Sequence, residues 1–321
     1  MKACVFDGRV VRVDPAYPSP KAGPGEVRLG VLLAGVCQTD LEIVKGYMAF
    51  RGVLGHEFVG RALEGRHKGR RVVGDINCAC GECDLCRAGL ANHCRRRTVL
   101  GIAGRDGAFA EQVVLPEANL HPVPDGVSDR QAVFAEPLAA AIQIGQQVAL
   151  KPGMKTVVLG DGRLGQLVAQ VFEAWNFKPL VVGKSAAKLA ILDRLGMATV
   201  EADRARPAKD ADVVVECTGS AEGLRRALEF VRPRGTVVLK STVADTAGLN
   251  LASLVVDEVT VVGSRCGPMG EAVKMLAAGV IQVDPLITAE YFLDEAPAAL
   301  EAAGRPEAIK VLIRPARRGG P

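Results

Sequence analysis

The chain has 321 residues, enough for about two domains and a core that needs no covalent staples. Hydrophobic residues make up 49% and charged residues 24%, which excludes disordered, collagen-like and coiled-coil architectures. Forty Lys and Arg against 36 Asp and Glu leave a net charge of +4, too mild and too evenly spread to indicate a nucleic-acid partner.

The first third reads as β-rich. Short apolar runs such as Val27–Leu33 and Arg71–Val73 alternate with Gly and Pro punctuation, and no helical period appears before about residue 128. Ser128 can cap a helix running through Glu136–Ala149. Apolar strands and helical patterns then alternate. Strands are expected at Thr156–Leu159, Leu180–Val182, Val213–Glu216, Thr236–Leu239 and Val259–Val262. Helices are expected at Leu164–Trp175, Ala186–Leu195 and Ala221–Phe230. That alternation implies parallel βαβ units, an α/β doubly wound sheet. A helix at Met269–Ala278 leads to strands near Ile287–Phe292 and Ile309–Ile313, with a frayed end from Arg314. Met1–Asp7 has no apolar leader core, and no stretch approaches the roughly 18 apolar residues of a membrane span. A soluble, cytoplasmic protein without a membrane partner is expected.

The first βα junction reads TVVLGDGRLG, in which Gly160, Gly162 and Gly165 form G-x-G-x-x-G. The motif follows an apolar strand and opens an apolar helix, the context a dinucleotide site requires. Gly160 makes the tight turn, Gly162 lets backbone approach a pyrophosphate, and Gly165 lets the helix pack on the strand. Arg163 and Leu164 open that helix, whose N-terminus favours anions. The second strand ends Gly183-Lys184-Ser185 without the acidic residue that holds the ribose hydroxyl of NAD. Room at Gly183, charge at Lys184, a hydroxyl at Ser185 and a further cation at Lys188 suit a 2′-phosphate, so NADP is expected over NAD. Thr218, just beyond the strand Val213–Glu216, is a further cofactor candidate.

Nine cysteines are present, and five fall between Cys78 and Cys94. Cys80, Cys83, Cys86 and Cys94 have the spacing C-x2-C-x2-C-x7-C, which matches a closed tetrahedral zinc site. An iron–sulfur cluster, or a lobe that has lost its metal, is the alternative. Cys78 and His93 lie beside it. A second, dispersed set comprises Cys37-Gln38-Thr39-Asp40, Gly55-His56-Glu57 and Glu136-Pro137. These are ligand types of a catalytic zinc, although spacing alone does not join the three segments.

With these motifs in this order, the chain resembles the medium-chain, zinc-dependent alcohol dehydrogenase superfamily, above all its sorbitol, threonine and glucose dehydrogenase branch. The resemblance implies a β-rich GroES-like catalytic domain over residues 1–137 with a zinc lobe at 78–94. It implies a Rossmann domain over 138–270 and a segment, 271–321, returning to the catalytic domain. It also implies one catalytic and one structural zinc and a homodimer or homotetramer. Cys37 and His56 would be catalytic zinc ligands, and Glu57 and Glu136 a third ligand and an exchanging partner in either order. Thr39 would carry the substrate proton, Asp40 would orient the metal site, and Lys310 would stand near the cofactor. A histidine often found five residues after the ligand cysteine is Glu42 here, so either Glu42 relays the proton or water does. The reaction implied is hydride transfer between an alcohol or polyol, or the matching carbonyl compound, and NAD(P). A zinc-independent NADPH-dependent quinone or enone reductase of the same fold is the alternative, and a nucleic-acid-binding zinc module is a third reading.

Overall fold

The computed structural model describes residues 1–242 and 251–315. The expected frayed end starts one residue too early, since Arg314 closes a paired strand, and its residues beyond 315 lie outside the described ones. The chain forms two compact units: Met1–Glu136 with Met269–Ala278 and Val283–Pro321, and Pro137–Pro268 with Gly279–Gln282.

The first unit is built on a seven-stranded sheet whose central strand is Glu26–Gly35. Its burial alternates at first and becomes continuous at Leu33–Gly35, where both faces are covered. The strand Glu57–Ala62 pairs with it antiparallel on one side, and Lys310–Arg314 on the other. The registers set Gly35 opposite both Glu57 and Leu312. The C-terminal strand thereby enters the middle of a sheet begun by the N-terminal third.

The second unit holds six parallel strands in the order Thr199–Glu201, Leu180–Gly183, Thr156–Leu159, Ala211–Glu216, Val231–Leu239 and Thr260–Gly263. Each inner strand carries a short apolar run, as helices on both faces demand. Val157, Leu159, Val182, Val214, Phe230 and Val237 share one buried cluster. Gln166–Phe172 of the helix after the glycine loop are buried throughout. The strand Thr199–Glu201 carries too few residues to announce itself by pattern.

Two helical expectations change. Gln38–Val44 is a helix, too short to show a period in the sequence. The helix starting at Ser128 is two: Ser128 caps Asp129–Ala132 in a capping box with Gln131, and Ala135–Gln147 begins anew. Pro137 explains the break, because it has no N–H for the Val133 carbonyl one turn back.

Candidate active site

The first cluster forms where the buried end of Glu26–Gly35 turns into the helix Gln38–Val44. Cys37 is the N-cap of that helix. Asp40, fully buried, takes the Cys37 N–H on Oδ2 at 2.8 Å and the Gly55 N–H on Oδ1 at 3.3 Å. The same Oδ1 lies 3.2 Å from Nδ1 of His56. One carboxylate therefore ties the helix start to the turn that carries His56 and Glu57. Gly55 makes that turn at φ +93°, with the Phe109 ring packed where a Cβ would stand.

Ligand-type atoms of Cys37, His56 and Glu57 all lie within 4.8 Å of one another. His56 and Glu57 are buried. Burial acts to lower the His56 pKa, but Asp40 and Cys37 outweigh it and raise it well above the ordinary value. Thr39 Oγ1 lies 3.7 Å from Cys37 Sγ. Glu136, in the first turn of Ala135–Gln147, is not in this group.

Lys310 comes to the same place from the C-terminal strand. Its ammonium and the Glu57 carboxylate form an ion pair with both side chains fully buried. Beyond that ion pair neither Glu57 oxygen has a hydrogen bond to a described residue, so the carboxylate keeps acceptor capacity for a metal. Lys310 also stands 5.4 Å from the Phe134 ring centre, and burial pushes its pKa down to about 8. A side chain at Gly35 would press on both partners, 2.8 Å from Lys310 Nζ and 2.9 Å from Glu57 Oε2. With no exposed surface, Lys310 belongs to this cluster. Glu42 accepts from Gln38 and Lys45, and these bonds lower its pKa, which disfavours it as a proton carrier near neutrality.

The four-cysteine lobe is the second cluster. Neighbouring sulfurs are separated by 3.4 Å for Cys80–Cys94, 3.5 Å for Cys83–Cys86, 3.8 Å for Cys83–Cys94 and 3.9 Å for Cys80–Cys86. Four thiolates about 2.3 Å from a tetrahedral zinc would be about 3.8 Å apart. A disulfide needs about 2.05 Å, and none forms. The backbone N–H groups of Glu82 and Cys83 are among the bonds that bring Cys80 down to about 6. The Arg96 guanidinium lies 3.5 Å from Cys80 Sγ, and its N–H 3.4 Å from Cys94 Sγ. Cys78 lies outside the sulfur group, its thiol pushed up to about 11 by burial, and His93 is exposed. Both donor sets fit zinc.

The glycine loop lies in the other unit. Gly160 has φ +115°, and a Cβ there would meet the Cys217 carbonyl at 2.7 Å. A Cβ on Gly165 would lie 1.9 Å from the Gly160 carbonyl oxygen. Gly162 is the N-cap of Arg163–Ala174, with no side chain capping it. No atom lies within 4 Å of a Cβ built on Gly162, so the backbone is open to a phosphate. Arg163 and Leu164 are in the first turn. Gly183 and Ser185 adjoin the loop through Asp161, whose Oδ2 accepts the Ser185 N–H at 2.6 Å. Lys184 is exposed, and the backbone N–H of Lys188 bonds Ser185 Oγ. Thr218 donates from its N–H and hydroxyl to Glu216. Sequence reasoning missed Asp161, a variable position of its motif.

Comparison with known proteins agrees with this geometry. The alcohol dehydrogenase GroES-like domain family matches residues 23–125, and the zinc-binding dehydrogenase family matches residues 164–279. The sorbitol dehydrogenase of Halalkalibacterium halodurans is 31% identical over 93% of this chain and 94% of its own. The L-threonine 3-dehydrogenase of Streptomyces avermitilis is 31% identical over 92% and 94%. A solved structure described as a zinc-binding dehydrogenase of Sinorhizobium meliloti bound to NADP superposes with a TM-score of 0.88 at 28% identity, over 98% of this chain and 99% of that one. With cysteine, histidine and carboxylate in one cluster, four sulfurs in another and a glycine turn open to phosphate, the chain belongs to the zinc-dependent alcohol dehydrogenase family of medium-chain dehydrogenases.

Proposed function

We propose that this enzyme oxidises a small alcohol or polyol, or reduces the matching carbonyl compound, with one catalytic and one structural zinc per chain. The observation carrying the proposal is the cluster of half-buried Cys37 with buried His56 and Glu57, held by Asp40 and charge-balanced by Lys310. Cys37, His56 and Glu57 would hold a zinc ion that would supply Lewis-acid chemistry, and the Gly160–Gly165 turn would hold a nicotinamide dinucleotide that would supply the hydride chemistry. The chain's own residues do the rest. Asp40 fixes the orientation of the His56 ring through Nδ1, leaving Nε2 for the metal. Lys310 offsets the Glu57 charge, so the carboxylate can be a ligand or withdraw. Thr39 takes the substrate hydroxyl proton at Oγ1 and passes it to solvent, since Glu42 is engaged with Gln38 and Lys45. Cys80, Cys83, Cys86 and Cys94 hold the structural ion.

The sorbitol and threonine dehydrogenases and the D-xylulose reductase among the relatives support a substrate bearing neighbouring hydroxyl or amino groups. Among the described residues no helix is long and apolar enough to cross a membrane. Cysteines clustered with metal-ligand spacing suit a reducing, cytoplasmic setting. A homo-oligomer is also proposed, formed through the edge strand Thr260–Gly263 and the apolar Val255 and Val256 beside it.

Metal analysis joined to one substitution tests the proposal. Protein purified without chelator should carry about two zinc ions per chain. Cys37→Ser should carry about one, keep its fold and lose at least roughly a thousandfold in dehydrogenase rate. A Cys37→Ser variant that keeps full activity would sink the catalytic-zinc assignment and favour the metal-free reductase.

A further inference from the structure

In a doubly wound dinucleotide fold the adenosine ribose lies at the end of the second strand, where an acidic side chain commonly holds its 2′-hydroxyl. That strand ends here at Gly183, which has no side chain. The space is filled from the glycine loop. A Cβ built on Gly183 would fall 2.5 Å from Asp161 Cβ and 2.6 Å from Asp161 Oδ2. The Asp161 side chain thus begins almost where that of residue 183 would. Its Oδ2 is anchored by the Ser185 N–H at 2.6 Å. Of the other groups expected to greet a phosphate, Ser185 is engaged through its N–H on Asp161 and as the cap acceptor for the Lys188 N–H of the helix Ala186–Arg194, and Lys184 faces solvent.

We infer that Asp161 is the residue that reads the adenosine ribose, and that it selects NAD over NADP. The inference rests on the dinucleotide reading of the Gly160–Gly165 turn and goes beyond it. It reverses the NADP expectation drawn from the strand end alone. An anchored carboxylate is an acceptor, and a ribose 2′-hydroxyl is a donor. A 2′-phosphate at the same corner brings its charge against the Asp161 carboxylate. The N–H that could have bonded that phosphate is already bonded to Asp161. Gly183 is then part of the device, because a side chain there would push Asp161 away.

Calorimetric titration of the zinc-loaded protein with NADH and NADPH tests this by affinity rather than turnover. Wild type should bind NADH more tightly. Asp161→Asn keeps the shape and the acceptor for Ser185 but removes the charge. It should lower the ratio Kd(NADPH)/Kd(NADH) by at least roughly tenfold. Gly183→Ala, which displaces Asp161, should move the ratio the same way. Tighter NADPH binding by wild type would overturn the inference, whatever the variants do. So would a ratio that Asp161→Asn leaves unchanged. Failure of folded wild type to bind either dinucleotide would overturn the reading of the glycine turn beneath it, which is a different result from a wrong preference.

Discussion

The Glu57–Lys310 pair takes two opposite charges fully out of water. A buried ion pair seldom adds much net stability, but removing one partner strands the other charge. Lys310→Met in zinc-stripped protein should therefore cost roughly 3–5 kcal/mol in denaturant unfolding. Adding Glu57→Gln should recover most of the loss. A Lys310→Met protein as stable as wild type would mean that Glu57 is protonated or otherwise partnered. The pair also shows what residue types could and could not disclose. Cys37, His56, Glu57 and Asp40 sit in short motifs whose chemistry is legible. Lys310 is far from Glu57 along the chain, and only the pairing of Lys310–Arg314 with Glu26–Gly35 brings it there. Asp161 was illegible for a related reason: the selector rule looks about 20 residues past the loop, whereas the loop itself supplies the carboxylate.

The junction of strand Thr156–Leu159, glycine turn and helix Arg163–Ala174 decides whether the second unit can hold a dinucleotide. Gly165 touches the Gly160 carbonyl so closely that even one methyl group must move backbone. Gly165→Ala should cost about 1–3 kcal/mol and weaken NADH and NADPH binding alike. Thermal unfolding and calorimetry would check both, and intact binding would show that the turn is not the phosphate cradle. Alternating strands and helices were legible because parallel strands covered on both faces become uninterrupted apolar runs. Gln38–Val44 was not, because its seven residues are set by the Cys37–Asp40 cap rather than by an apolar stripe. The break before Ala135–Gln147 could have been read from Pro137, whose missing N–H cannot continue a helix from Val133.

The proposed association of whole chains rests on the edge of the parallel sheet. Sheets of this kind keep both faces covered, yet the outer strand Thr260–Gly263 is largely exposed and contributes Val261 at 38% exposure. Val255 and Val256 beside it are 76% and 80% exposed. An apolar, open edge invites pairing with another chain, and the simplest closed solution is a two-fold contact of this edge with itself. Each chain has a mass of 33.7 kDa, so wild type should sediment at twice that value or a higher even multiple at micromolar concentration. Lysine at both Val255 and Val261 places like charges across the two-fold axis and should shift the species toward the single-chain mass. The zinc content should not change, because both metal clusters lie in the other unit. If wild type sediments as one chain, the edge is protected by something other than a second copy, and the homo-oligomer proposal fails. If the double variant stays associated, the contact uses a different face, and the exposed valines need another explanation.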